Sequence, residues 1–182
     1  KNQRKKLLNK KLRKKNQSNT IMWTARVFTL YPEIFPGPLS KGLYGKALKK
    51  KIWDLKIIDI RDSAKDKHKT VDDRPFGGGS GMLLKPDVIS KSIDDNAKQG
   101  EKIFYLSPKG KKFNQRIAKK LSKEKTSKLL CGHFESVDAR ILQTNNIDEV
   151  RVGEYVLSGG ESERIVLIDS IIRLLHGVVS TD

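Results

Sequence analysis

Apolar runs alternate with polar and glycine-rich stretches along most of the chain. Five short apolar or alternating segments predict buried β-strands, at residues 23–30, 53–60, 102–106, 128–131 and 147–152. Longer segments with helical spacing predict helices at about residues 39–51, 86–98, 111–123 and 163–175, and the run 132–140 leads into a further helix. Strands that alternate with helices are typical of an α/β domain with a mainly parallel sheet.

Three loops follow the predicted strands at residues 106–110, 131–136 and 152–160. Ligands of parallel sheets bind beyond the carboxyl ends of the strands, so these loops are expected to form one pocket. The last loop contains glycines, which let main-chain groups approach a ligand closely. It lacks the spacing of a dinucleotide-binding or P-loop motif. By itself it is therefore either a ligand-binding loop or a plain strand-to-helix turn.

A polar connection of about twenty residues, 61–81, joins the second strand to the next helix. Loops of this length in compact domains usually carry function or are disordered. Asp72, Asp73 and Arg74 stand beside a cluster of glycines, a mixture that can bind phosphate groups or base edges. The alternative is a flexible surface lid.

The net charge is +17, from 38 basic and 21 acidic residues. Nine of the basic residues lie in the first fifteen positions, and the remaining 29 still exceed the 21 acids by 8. The excess predicts a polyanionic partner, most simply RNA or DNA. For residues 1–21 alone, a solvated basic tail is the alternative. Met22 is a candidate original start, which would make residues 1–21 a disordered or frayed extension outside the fold.

The composition also limits the class of protein. No apolar run approaches the roughly 20 residues of a membrane span, and no signal-peptide pattern follows the basic start. The single cysteine, Cys131, excludes an internal disulfide and fits a reducing, cytoplasmic compartment. The three histidines do not have ligand spacing, so no metal site is predicted.

Five separated motifs in collinear order resemble the bacterial tRNA (guanine-N1-)-methyltransferase family, often called TrmD, of the SPOUT class. They are Leu30-Tyr-Pro-Glu-Ile-Phe35, Thr70-Val-Asp-Asp-Arg-Pro-Phe-Gly-Gly-Gly-Ser-Gly-Met82, Tyr105-Leu-Ser-Pro-Lys-Gly110, Leu130-Cys-Gly-His-Phe-Glu135 and Val152-Gly-Glu-Tyr-Val-Leu-Ser-Gly-Gly-Glu161. The match covers about residues 22–180. It implies a mainly parallel SPOUT sheet flanked by helices, with a C-terminal deep trefoil knot.

The resemblance further implies an S-adenosylmethionine-dependent enzyme that methylates N1 of the guanine at position 37 of tRNA, beside the anticodon. It implies that the tRNA anticodon stem-loop is the partner, and that the enzyme is a homodimer with active sites at the interface. The cofactor-binding residues carried over by position are Leu106, Ser107, Pro108, Gly110, Gly132, Val152, Gly153, Tyr155, Val156, Leu157, Gly159 and Gly160. The sequence leaves open whether Mg²⁺ is also required.

The chemical task is to orient an electrophilic methyl group toward N1 and to help remove the N1 proton. Arg173 matches the family's active-site arginine, which would stabilise negative charge on the base. Asp72, Asp73, Arg74 and Glu135 match positions that contact the target guanine region. From the residues alone, a helix-surface pair with Asp169 is the favoured interpretation of Arg173.

The chain departs from the family pattern in three places. His133 replaces an arginine in the second loop, and Glu163 replaces a proline after the double glycine. Family members also continue, through a linker that carries a proposed general base, into a small helical tRNA-binding domain that this sequence lacks. Asp182 is not assigned the role of that base. Two alternatives therefore stay open: a catalytically impaired knotted RNA-binding module, and a related enzyme that acts on another RNA position.

Overall fold

A computed structural model describes residues 22–74, 78, 81–98, 101–133 and 136–179 of the chain. The strands are β1 (Trp23–Thr29), β2 (Trp53–Asp59), β3 (Asp72–Asp73), β4 (Leu83–Leu84), β5 (Ile103–Lys112), β6 (Thr126–Leu130), β7 (Ser136–Val137) and β8 (Ile147–Arg151). The α-helices are α1 (Gly42–Lys49), α2 (Pro86–Asn96), α3 (Gln115–Leu121), α4 (Ala139–Thr144) and α5 (Glu161–Ile172). Short 3₁₀ turns cover Pro32–Ile34, Gly37–Ser40 and Ile60–Ser63.

The central sheet has five strands in the order β2-β1-β6-β5-β8, and every neighbouring pair is parallel. These are the five strands that the hydrophobic pattern predicts, so the predicted α/β class with a mainly parallel sheet is confirmed. The carboxyl ends of all five strands consequently lie at one edge of the sheet. A second, three-stranded sheet joins β3, β4 and β7.

The two faces of the central sheet are buried by different helices. Alternate residues of β1 point to opposite faces: Trp23, Ala25 and Val27 belong to one apolar cluster, and Phe28 belongs to the other. The first cluster includes buried residues of α1, α3 and α5, and the second includes those of α2 and α4. In the last helix, α5, the side chains of Leu167, Ile168, Ile171 and Ile172 are fully buried, as its apolar composition predicts.

The predicted turn at residues 107–110 is wrong, and the helix predicted to follow it is present but begins later than predicted. Instead β5 runs on to Lys112, and its pairing with β8 shifts register between Leu106 and Lys111. Gly110 explains the continuation, because a Cβ there would stand 2.5 Å from the Val150 nitrogen. The strand therefore passes directly against β8. Helix α3 begins only after Asn114, whose side chain accepts a hydrogen bond from the Ile117 nitrogen at 3.1 Å.

Smaller differences concern element boundaries. The helix predicted from residue 39 divides into the 3₁₀ turn Gly37–Ser40 and α1, and the last helix begins at Glu161 rather than residue 163. The polar connection 61–81 contributes β3, whose residues pair antiparallel with β4. Within the described residues, no helix is long and apolar enough to cross a bilayer.

Candidate functional site

One cleft lies at the carboxyl edge of the central sheet, where the chain leaves β6 and β8 and where β5 changes register. All three predicted loops contribute to it. Its lining residues are Tyr105, Leu106, Ser107, Pro108, Gly132, His133, Arg151, Gly153, Tyr155, Val156, Leu157, Ser158, Gly159, Gly160 and Glu163. Parallel strands bring their carboxyl ends to a common edge, which is why loops far apart in sequence meet here.

Ten of the twelve residues expected to bind a cofactor line this cleft. The other two, Gly110 and Val152, do not: Gly110 is packed against the main chain of β8, and Val152 packs on the apolar core. The cleft also contains five residues absent from the expected set, namely Tyr105, His133, Arg151, Ser158 and Glu163. Ser158 lies within the predicted glycine turn, so its position could have been inferred from the sequence.

The double-glycine turn and the loop after β6 are in direct contact. The Gly160 nitrogen donates a hydrogen bond to the Gly132 oxygen at 3.0 Å. A Cβ on Gly159 would lie 2.4 Å from Cε1 of His133, and one on Gly132 would lie 2.7 Å from the Tyr105 ring. Such distances leave no room for a side chain. The approach of the two loops therefore favours glycine at Gly159, and the packing of the loop after β6 against the Tyr105 ring of β5 favours it at Gly132.

A buried carboxylate joins three segments beneath this contact. Glu161, in the first turn of α5, is 4% exposed. Its Oε1 accepts a hydrogen bond from Oγ1 of Thr29 at 2.6 Å, and its Oε2 lies 2.7 Å from Nε2 of His133. The ring of Tyr31 meets the His133 ring edge-on, with the centroids 4.8 Å apart. The end of β1, the second loop and α5 are thus tied together at one wall of the cleft.

The charged and nucleophilic groups near this wall have different environments. Arg164 is fully buried and donates to the Leu130 oxygen, and burial lowers the pKa of its guanidinium. Burial also raises the pKa of the Cys131 thiol to about 12, so this cysteine stays protonated and is a poor nucleophile. Burial likewise raises the pKa of Glu163, whose side chain faces the cleft.

Arg173 lies outside the cleft. It is an exposed residue directly after α5 and borders a separate groove with Gln115, Asp169, Ser170, Leu174 and Val179. The alternative pairing with Asp169 is not formed: Oδ2 of Asp169 instead accepts a hydrogen bond from the Tyr44 hydroxyl at 3.0 Å. That hydrogen bond is the main reason why the pKa of Tyr44 is raised. Within one chain, the candidate catalytic arginine and the cleft are therefore separate.

The candidate substrate-binding residues are only partly brought together. Asp73 and Arg74 line a third cavity, with Leu83, Leu84, Lys85, Pro86, Asp87, Asp138 and Arg140. Asp72 pairs with Leu84 through β3 and is not part of that lining. Glu135, residues 1–21 and most of the glycine cluster at residues 77–81 lie outside the described residues. Across the described ranges, no group of three or more His, Cys, Asp or Glu side chains could hold a metal ion.

The chain has close similarity to known proteins. Residues 22–182 match the family described as tRNA (Guanine-1)-methyltransferase TrmD. A tRNA (guanine-N(1)-)-methyltransferase of Pelagibacter ubique is 63% identical over 161 residues, which are 88% of this chain and 71% of that protein. One from Wolbachia pipientis is 49% identical over 162 residues, 88% of this chain and 70% of that protein. One from Ehrlichia canis is 50% identical over 156 residues, 85% of this chain and 66% of that protein.

Proposed function

This chain belongs to the tRNA (Guanine-1)-methyltransferase TrmD family, and on that premise we propose that it methylates N1 of the guanine at position 37 of tRNA, beside the anticodon. It is a tRNA (guanine-N1)-methyltransferase by its similarity to the curated relatives. The observation that carries the proposal is the cleft at the carboxyl edge of the sheet, where the loop after β6 and the glycine turn after β8 meet residues 105–108 of β5. We also propose that the enzyme acts in the cytoplasm, where the lone thiol of Cys131 stays reduced.

The cleft residues fit S-adenosylmethionine, which we propose as the methyl donor. Main-chain groups at the glycine turns can contact the edge of an adenine, and Val156 and Leu157 provide exposed apolar surface beside them. Arg151 and Glu163 add one basic and one acidic group to the same lining, which matches the two charges of an amino-acid moiety. When bound, this cofactor supplies an electrophilic methyl group on a sulfonium.

The protein's own contribution is positioning and charge. The Glu161 network fixes the wall formed by His133 and the double-glycine turn, so the cleft is held in shape before a ligand enters. We assign to Arg173 the stabilisation of negative charge that develops on the guanine as N1 loses its proton. We assign contacts with the tRNA to Asp72, Asp73, Arg74 and Glu135.

We propose that the active enzyme is a homodimer in which Arg173 of one chain completes the cleft of the other. Two features support this arrangement. Arg173 and the cleft lie apart within one chain. The cleft also borders the exposed apolar side chains of Tyr155, Val156 and Leu157, of which Val156 is 80% exposed. Contiguous exposed apolar surface is typical of protein interfaces.

A trefoil knot of the SPOUT type is part of the same proposal. The segment between β8 and α5 contacts the loop that follows β6 through the Gly160–Gly132 hydrogen bond. This close passage of two distant segments supports a knotted path.

Methyl transfer to matched tRNA transcripts tests the proposal. Transcripts that differ only at position 37, with guanine or adenine, are incubated with methyl-labelled cofactor. We expect label in the guanine transcript alone, at N1. Equal labelling of both transcripts would show that the enzyme acts at another position. Cofactor binding in calorimetry together with salt-dependent tRNA binding, but without transfer to either transcript, would identify an RNA-binding module that lacks catalysis.

A further inference from the structure

The most strongly basic stretch of residues 22–182 is one short segment beside the cleft. Residues 22–182 have a net excess of 8 basic residues, and residues 109–125, here called the basic segment, contain eight basic residues and one acid, Glu124. Seven of the eight excess charges thus fall within seventeen residues. The basic residues are Lys109, Lys111, Lys112, Arg116, Lys119, Lys120, Lys123 and Lys125.

All eight of these side chains are exposed. Helix α3 accounts for three of them, because Ala118 and Leu121 are buried in the core while Arg116, Lys119 and Lys120 lie on its outer side. Among the ion pairs of the described residues, none includes a cation of the basic segment. Four lysines elsewhere, Lys69, Lys91, Lys102 and Lys128, each pair with a carboxylate.

The basic segment also connects the two separate parts of the candidate site. It begins directly after Pro108, which lines the cleft, and Lys112 is paired in register with the cleft residue Arg151. Farther along, Gln115 at the start of α3 borders the groove that contains Arg173. A ligand that lies along this surface therefore reaches both the cleft and the arginine groove.

We propose that the basic segment is a docking surface for the sugar-phosphate backbone of the RNA substrate. This inference rests on the proposed function, and it adds the surface that holds the tRNA. A row of exposed cations outside any ion pair matches a polyphosphate, because each phosphate that is neutralised releases condensed counterions. The segment carries no exposed aromatic platform for bases, so it positions the backbone and does not read sequence.

A solvated lysine face is the simpler interpretation, and two features argue against it. Solvation alone does not require the most basic stretch to lie beside the cleft, and the other lysine-rich run, residues 41–56 with six lysines and one acid, leads into the edge strand β2 instead. It also gives no reason for acids to be nearly absent from the segment, because mixed charges keep a surface equally well hydrated.

Two variants of the full chain, each with three lysines replaced by glutamine, test the docking surface. The test variant is Lys111→Gln/Lys112→Gln/Lys119→Gln. The control is Lys49→Gln/Lys50→Gln/Lys56→Gln, which removes the same charge from exposed lysines at the opposite, β2 edge of the sheet. Binding of labelled tRNA is measured without cofactor over a series of salt concentrations, and cofactor binding and thermal stability are measured separately.

We expect the test variant to bind tRNA more weakly than the control. The slope of log affinity against log salt should decrease by roughly 0.7–0.9 for each phosphate that the variant no longer neutralises. Cofactor affinity should be unchanged in both variants. Equal weakening in test and control, or none in either, would overturn the proposal. The docking test and the methylation test can fail separately. An enzyme that methylates another base can still dock RNA on the basic segment, and one that methylates guanine 37 can dock RNA elsewhere.

Discussion

Glu161 shows how one buried side chain can hold a site together. Its carboxylate bridges Thr29 and His133, which come from the first strand and from the loop after β6, more than 100 residues apart in sequence. The N-terminal position of Glu161 in α5 adds a favourable interaction with the helix dipole. These hydrogen bonds offset the free-energy cost of burying the carboxylate. Without it, the Thr29 hydroxyl and the His133 ring would lose this buried acceptor.

We expect Glu161→Ala to lower the free energy of unfolding by about 1–3 kcal/mol, because the Thr29 hydroxyl and the His133 ring lose their buried acceptor. Urea unfolding at neutral pH measures the change. Glu163→Ala is the matched control. Glu163 lies two residues away, and burial raises the pKa of its carboxyl group, but it does not bridge Thr29 and His133. A control that loses as much stability as Glu161→Ala would show that the bridge is unimportant.

Gly159 tests the contact between the loops. In Gly159→Val, the new side chain would meet Cε1 of His133, which stands 2.4 Å from the Cβ position, and Oε2 of Glu161 at 2.9 Å. We expect cofactor binding to fall below detection in calorimetry, while the unfolding transition stays cooperative. Ser158→Ala, in the same turn, should bind normally. Unchanged affinity in Gly159→Val would contradict the assignment of the cleft.

Arg173 separates binding from catalysis. Arg173→Ala removes a side chain that we assign to the charge developing on the guanine and not to the cofactor, so the cofactor affinity should be unchanged. The rate of methyl transfer should fall by about 100-fold or more, the usual effect of losing one group that stabilises transition-state charge. Arg173→Lys should recover part of the rate, since it restores the charge but not the planar donor geometry. Weaker cofactor binding in Arg173→Ala would instead place the arginine in the cofactor site.

A side-chain cap stabilises the helix beside the cavity that contains Asp73 and Arg74. Helix α4 is capped by Asp138, whose side chain accepts hydrogen bonds from the Arg140 nitrogen at 2.9 Å and from Nη2 of Arg140 at 2.6 Å. These side-chain and backbone hydrogen bonds hold the Asp138 pKa at about 2. The helix is only six residues long, so its first turn is a large part of it.

The Asp138 cap should make stability depend on pH. The folded pKa of about 2 lies below the unfolded value of about 3.9, so the charge stabilises the fold fully above about pH 4 and loses this effect as the pH falls through about 2. Asp138→Asn keeps a capping oxygen and removes the charge. We expect it to cost about 0.5–1 kcal/mol at about pH 6, since the arginine is exposed and the ion pair is screened.

Urea unfolding of both proteins at about pH 6 and about pH 3 measures this difference, because protonation of the wild-type carboxyl begins in that range. The gap between wild type and Asp138→Asn should narrow at the lower pH. A gap that is the same at both values would assign the effect of Asp138 to geometry and not to charge.

At the scale of the whole molecule, the separation of Arg173 from the cleft leads to a prediction about pairs of chains. Arg173→Ala leaves a complete cleft, and Gly159→Val leaves a complete arginine groove, so each variant alone should be inactive. When the two are co-expressed, about half of the dimers are mixed, and each mixed dimer regains one of two shared sites. We expect roughly a quarter of the wild-type rate of methyl transfer.

As a matched control, Arg173→Ala is co-expressed with wild type. About half of the wild-type activity is then expected whether each site is formed by two chains or within one chain. Sedimentation of each preparation establishes that dimers form. An inactive mixture of Arg173→Ala and Gly159→Val, in the presence of dimers, would place the arginine and the cleft of one chain in the same site.

Much of the fold could be predicted from the sequence, because it follows from local patterns. The five strands of the main sheet contain apolar runs that a buried parallel sheet requires, and the order of strands and helices then indicates the α/β class. Residues 107–110 could not be predicted in this way. Ser107, Pro108 and Gly110 have the composition of a turn, but Gly110 packs against β8, and that contact keeps the chain extended.

The sequence by itself determined the strands, the glycine-rich loops at their carboxyl ends and the concentration of basic residues, since each is a property of neighbouring residues. It also carried the five motifs by which the family is identified. Only the tertiary structure decided that Thr29, His133 and Glu161 meet, and that Arg173 lies away from the cleft. These relations join residues that are distant along the chain, so they depend on how the strands pair and how the helices pack on the sheet.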